Sequence, residues 1–147
     1  MVIKHEQHEA QKDIEVYITY PQKTSFVDRL LMLVKSVEPQ IICKSSDEEI
    51  IINASEIFYI EFIDRKTIIN CENNNFYSNE PLYQIYKKLK NIGFYQINKY
   101  CILNLNKLKK IKQLPNSHLE AVLKNGKQLY VTRKYLNDLK NILKEMH

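Results

Sequence analysis

The chain has only two glycines, Gly93 and Gly126, in 147 residues. A phosphate-cradling loop needs several glycines close together, so nucleotide binding of that kind is excluded. Its three cysteines, Cys43, Cys71 and Cys101, are odd in number, widely spaced and form no C-x-x-C pair. A disulfide framework or structural zinc site is therefore not expected, and reduced, partly buried thiols are. His5 and His8 stand three apart, which is not the H-E-x-x-H spacing, and read as part of a solvated tail. Long apolar runs are also missing. Stretches such as Leu30 to Val34 or Ile50 to Ile52 are far too short to cross a bilayer. Residues 1–15 hold no apolar stretch of signal-peptide length, so a cytoplasmic protein is expected.

The most informative absence is acidic. From Pro81 to Leu119 there is no Asp or Glu, whereas Lys87, Lys88, Lys90, Lys99, Lys107, Lys109, Lys110 and Lys112 all fall inside. Residues 1–45 carry six basic and six acidic side chains; residues 46–80 carry two and eight; residues 81–147 carry fourteen and three. The overall charge of +5 thus conceals a strongly basic C-terminal half. Such segregation fits a polyanion binder, because neutralising phosphates releases condensed counterions. A solvated lysine face explains Lys87, Lys88 and Lys90 equally well. It explains a 39-residue acid-free block less well.

What is present suits one soluble domain, or one domain with a short appendage: 44% hydrophobic residues can build a core. "IEVYITYP", residues 14–21, alternates like a strand closed by Pro21. "TSFVDRLLMLVKSVEP" reads as a helix capped by Thr24 or Ser25 with a wide apolar face, too apolar for a free tail. Strands are expected near 40–45, 49–53, 57–63, 66–71 and 75–78. A helix follows, capped by Asn79, with Pro81 in its first turn and a stripe of Leu82, Ile85, Tyr86, Leu89 and Ile92 up to Gly93. Extended structure resumes over 95–105, with short turns allowed at 98–101. Asn125-Gly126 between alternating segments predicts a type I′ hairpin, with Leu119, Ala121 and Leu123 on one face. A last helix, capped at Thr132, turns Tyr135 or Leu136, Leu139, Ile142 or Leu143, and Met146 inward. Antiparallel strands with a central and a terminal helix make an α+β fold. Glu61 and Asp64 lack the partners of an active site, so Glu61 reads as structural and no enzyme is expected.

Four segments in order carry a resemblance: Tyr59-Ile60-Glu61, Gly93-Phe94, Ile102-Leu103-Asn104-Leu105 and Val131-Thr132-Arg133-Lys134-Tyr135. Together they resemble the LytTR DNA-binding domain of bacterial transcription regulators, over about residues 42–146. The resemblance implies an elongated, mainly antiparallel β fold whose loops, rather than a recognition helix, enter the major groove. It places DNA contacts on Arg65 and Lys66 (with Thr67), on Asn98 and Lys99, and on Arg133 with Lys134. Tyr100 stands where many members carry Ser. Asn104 reads as structural, satisfying turn backbone groups.

The resemblance divides the chain into a strand-helix extension, residues 1–40, which can dimerise, and a DNA-binding domain, residues 41–147. About forty residues before the domain are too few for a receiver domain. A stand-alone regulator is implied, binding paired repeats in double-stranded DNA as a homodimer and controlled by abundance or a partner such as a membrane protein. No cofactor or small-molecule substrate is expected. Two rivals remain: a single-strand RNA or DNA binder using ten Tyr and five Phe as stacking platforms, and a protein-binding module with a basic face.

Overall fold

Each central strand has two buried faces, and the chain covers them with different partners. The computed structural model describes residues 1–11, 14–115 and 118–145. Helix α1 (Ser25–Val37) leads into strands β1 (Gln40–Ser45), β2 (Glu48–Asn53), β3 (Ile57–Ile63), β4 (Lys66–Cys71) and β5 (Asn75–Ser78). Helix α2 (Leu82–Leu89) precedes β6 (Phe94–Asn98) and β7 (Cys101–Asn104). Strands β8 (Leu108–Gln113), β9 (Leu119–Leu123) and β10 (Gln128–Val131) follow, and α3 (Arg133–Glu145) closes the fold. A seven-stranded sheet runs β2-β1-β5-β4-β3-β7-β6, and a three-stranded sheet runs β10-β9-β8. Every pairing is antiparallel, as the α+β reading expects.

On one face of the large sheet, Ile60 lies opposite Ile69 and Ile102, and all three are buried with Ile85 and Leu89 of α2. On the other, Tyr59, Ile97 and Leu103 join Leu119, Ala121 and Leu123 of β9, Val131 and Leu139 of α3. A β-bulge between Ile57 and Tyr59 shifts the register, and the consecutive Phe58 and Tyr59 both join this second core. A fully buried Ile or Leu contributes roughly 1.5–3 kcal/mol. The exposed Lys88–Glu80 ion pair belongs to a class worth about 0–1 kcal/mol. Packing on both faces therefore sets the strand positions. All three cysteines are free; burial is the main cause that pushes the Cys43 and Cys101 thiols up to about 12 and Cys71 to about 11.

Several local expectations need correction. Residues 14–20 belong to no strand, and Ile14, Val16 and Tyr17 are exposed. Alternation supplies propensity, but a strand also needs a regular ladder to a neighbour, and among the described residues this segment is not assigned to either sheet. Thr24 does cap α1, its Oγ1 accepting from the Val27 N–H at 3.3 Å. Asn79 does not cap α2: the N-cap is Pro81, without a side-chain cap bond. That helix stops at Leu89, short of Gly93, which adopts φ 91° and whose carbonyl accepts from the Leu105 N–H at 2.8 Å.

The type I′ pattern is displaced too. At the β9–β10 turn only Gly126 has positive φ, at 88°, while the Asn125 carboxamide accepts from the Lys127 N–H at 3.1 Å. With the Gly126 N–H bonded to the Leu123 carbonyl, this is a three-residue loop ending in a glycine bulge. The two-residue turn with both central residues at positive φ is Asp64 (51°) and Arg65 (62°), between the paired Ile63 and Lys66. Strand β8 was not expected at all. Of the inward positions proposed for α3, Tyr135, Leu136, Leu139 and Ile142 pack against the core; Met146 and the Leu143 side chain lie outside the described part.

Asn104 acts as a buried internal connector. Its Nδ2 donates to the Ile57 carbonyl at 2.8 Å and its Oδ1 accepts from the Asn106 N–H at 3.0 Å. One side chain thus joins the end of β7 to the start of β3. Asn104→Ala leaves a buried backbone acceptor without its partner, so a loss of about 2 kcal/mol is expected. Urea unfolding of the variant measures it; a change below about 0.5 kcal/mol would remove Asn104 from this role.

Candidate nucleic-acid interface

Three loops far apart in sequence meet at one end of the fold. Glu61 pairs with Cys101, which brings the β3–β4 turn beside the β6–β7 turn. The Phe62 N–H then donates to the Tyr100 carbonyl at 2.8 Å. On the other side, the Thr132 N–H donates to the Ile97 carbonyl at 3.0 Å, and Asn98 Nδ2 donates to the Tyr130 carbonyl at 3.1 Å. These bonds attach the start of α3 to the end of β6. The turn carrying Arg65 and Lys66, the turn carrying Lys99, and the helix start carrying Arg133 and Lys134 therefore share one edge.

The six residues singled out from sequence are not equivalent. Arg65, Lys66, Lys99, Arg133 and Lys134 are exposed. Among the described residues, no ion pair engages Arg65 or Arg133, so Arg133 does not pair with Glu61 or Glu120. Three ammonium groups lie over aromatic rings: Lys66 over Tyr77 at 5.7 Å, Lys99 over Tyr100 at 5.5 Å, and Lys134 over Tyr135 at 5.5 Å from the centroid. Asn98 is half-buried and already engaged at both ends of its amide, because its Oδ1 also accepts from the Tyr100 N–H at 2.9 Å. It closes an Asx turn that shapes the β6–β7 loop and clamps that loop to β10. Thr67 is buried, and its hydroxyl donates to the Glu80 carbonyl at 3.0 Å, so it is occupied structurally.

Electrostatics favour this end for an anion. Arg133 and Lys134 open α3 with no acidic residue in its first turn, against the preference of a helix N-terminus for negative charge. Asp47, Glu48, Glu49 and Glu72 lie near the β1–β2 and β4–β5 turns, at the opposite end of the large sheet. Asp64, exposed beside Arg65, and Glu80, which lines the groove beside Arg65 and Lys66, are acidic residues at this basic edge. The acid-free block does not all point one way, however. Lys107 stacks over Phe58 at 5.1 Å, and Lys88 pairs with Glu80 at 2.8 Å. Within that block, Lys99 is the lysine that the three-loop edge displays. Sequence reasoning also missed an exposed aromatic contact there: the Phe62 and Tyr100 rings stack with centroids 6.4 Å apart. Phe62 at the end of an alternating strand was the available signal.

Among the described residues, no helix is long and apolar enough to cross a membrane, which says nothing of a β-barrel. A family model of the LytTr DNA-binding domain matches residues 47–144. The sensory transduction protein LytT of Bacillus cereus (strain ATCC 14579) is 25% identical over 95 residues, covering 65% of this chain and 39% of that protein. The protein of the same name from Bacillus subtilis (strain 168) is 24% identical over 94 residues, covering 64% and 39%. The chain thus spans about two fifths of the length of these curated relatives. A solved structure, the LytTr DNA-binding domain of a Bacillus cereus protein described as a methyl-accepting/DNA response regulator, aligns with TM-score 0.67 at 24% identity. The alignment covers 71% of this chain and 95% of that one and shows the shared fold. The family match extends over most of the chain and includes all three loops of the basic edge, so the chain belongs to the LytTR family of DNA-binding domains.

Proposed function

We propose that this chain is a cytoplasmic transcriptional regulator that binds duplex DNA sequence-specifically, with the three-loop edge in the major groove. The observation that carries the reading is the convergence of Arg65, Lys99 and Arg133 on one hydrogen-bonded edge without ion-pair partners among the described residues. Lys66, Lys99 and Lys134 position the domain on phosphates, which carry no sequence information. The positive end of the α3 dipole favours the same anion. Arg65 and Arg133 reach base edges. Asn98 shapes its loop and keeps one amide hydrogen for a base or phosphate.

If about four to seven phosphates are neutralised, log K against log salt should slope roughly −4 to −6 per protomer. Anisotropy titrations across a salt series test this, with a genomic duplex library, single strands and an unrelated polyanion as competitors. A flat response, or tighter binding to single strands than to every duplex, would overturn the reading.

Arg133 and Lys99 divide the labour. The backbone of Arg133 is held by α3 on one side and by the Thr132–Ile97 bond on the other. A guanidinium held in this way forms two parallel hydrogen bonds to guanine O6 and N7, which an ammonium does not reproduce. Arg133→Ala should cost about 1–3 kcal/mol and flatten preference at one base pair. Arg133→Lys should restore general affinity without the preference. Lys99→Ala should weaken all sequences alike and shallow the salt slope by about one unit. Equal losses on specific and scrambled DNA for Arg133→Ala would end the base-reading role.

The extension supplies a dimer contact in this reading, so that two copies sit on paired repeats. Its support is the face that α1 leaves uncovered. Val27 is buried, but Phe26, Met32 and Val37 are 57%, 70% and 83% exposed. A groove of about 650 Å³, lined by Val34, Val37, Ile92 and Phe94 among others, lies alongside. Sedimentation of the full chain should give a dimer mass, and a truncation starting at Gln40 should sediment as a monomer. Identical monomer masses for both would exclude the interface.

A further inference from the structure

The exposed ring pair at the basic edge has no role in phosphate or guanine recognition, and it is costly to leave in water. Phe62 is 39% exposed and Tyr100 is 51% exposed. Two stacked rings on an edge that also carries Arg65, Lys66, Lys99 and Asp64 form a patch rather than a scattered exposure. Tyr100 is also held firmly. Its N–H is bound by the Asn98 carboxamide, its carbonyl by the Phe62 N–H, and its ring by the stack on Phe62. An apolar recess of about 330 Å³, lined by Leu82, Tyr83, Tyr86 and Ile102 as well as both rings, continues behind it.

In the major groove one natural base presents an apolar group, the C5-methyl of thymine. We propose that Tyr100, braced by Phe62, reads thymine by packing its ring against that methyl group, between the positions contacted by Arg65 and Lys99. The inference rests on the duplex-binding reading and adds a specificity-determining residue to it. Lys99, already over the face of the same ring, supplies the adjacent phosphate contact. A side chain chosen only for backbone contacts at this turn has no need of an aromatic body. Tyr100 therefore makes specificity partly apolar, and that component is insensitive to salt.

The test uses the full chain and a duplex site selected from a random library, with each thymine replaced in turn by uracil, which lacks only the methyl group. Wild-type protein should lose about fourfold in affinity at one position, the value of one buried methyl group. Tyr100→Ala should lose less than twofold on the same replacement, while Tyr100→Phe should keep the full discrimination. Circular dichroism of the variants confirms the fold, which an exposed substitution should preserve. If wild type binds the duplex specifically but no uracil replacement discriminates it from Tyr100→Ala, the methyl contact is wrong and the duplex reading stands. Absence of specific duplex binding, or preferential stacking on single strands, overturns both.

Discussion

The basic edge depends on the bonds that join the two sheets at Ile97 and Asn98. Two hydrogen bonds, from the Thr132 N–H to the Ile97 carbonyl and from Asn98 Nδ2 to the Tyr130 carbonyl, fix the start of α3 against the end of β6. Without them Arg133 would ride on a separate layer, free to slide relative to Lys99 and Arg65. The second core makes the bonds possible by packing Ile97, Leu123, Val131 and Leu139 together. Apolar burial supplies the energy and the hydrogen bonds supply the register. The proposed recognition of DNA by loops would require this, because in that reading no single rigid helix carries the contacts.

Positive charge at the start of α3 works against stability, and in the proposed function it serves DNA binding. A helix N-terminus favours a carboxylate by typically 0.3–1 kcal/mol at exposed positions, and Arg133 and Lys134 forgo that gain. The packed face of α3, with Leu136, Leu139 and Ile142 against the core, absorbs the loss. The acids gathered at the β1–β2 and β4–β5 turns give the large sheet opposite charge at its two ends. In the proposed complex this polarity would draw one end towards a phosphate backbone and repel the other.

The sequence made the elements legible where local and tertiary demands agree. The five strands from 40 to 78, the α2 stripe of Leu82, Ile85, Tyr86 and Leu89, though not Ile92, which is exposed beyond the helix, and the inward Leu119, Ala121 and Leu123 follow from periodicity alone. Strand β8 escaped because Leu108 and Ile111 alternate imperfectly among lysines, and a bulge between Leu108 and Lys110 restores its register with β9. Residues 14–20 failed in the opposite sense, with the alternating pattern present and no strand formed. The exposure of Arg65, Lys66, Lys99, Arg133 and Lys134 on one edge was readable through resemblance to the family. Occupation of Asn98 and Thr67 by internal hydrogen bonds was not, since their partners lie 32 and 13 residues away.

The Asp64–Arg65 turn departs from local preference. A two-residue turn with both residues at positive φ suits Asn-Gly, and the chain has Asn-Gly, but at Asn125-Gly126, where only the glycine needs positive φ. Arginine in the left-handed region costs roughly 1–2 kcal/mol, which glycine at that position would avoid. The β3–β4 ladder, with Ile63 paired to Lys66 and Glu61 to Ile68, is long enough to hold the strained turn in place. Glycine there would relax the backbone and remove the guanidinium from the edge. A short turn also confines the Arg65 backbone. The strain and the rigidity thus have one origin: a charged side chain presented at the tip of a two-residue hairpin whose strands are anchored in the core below.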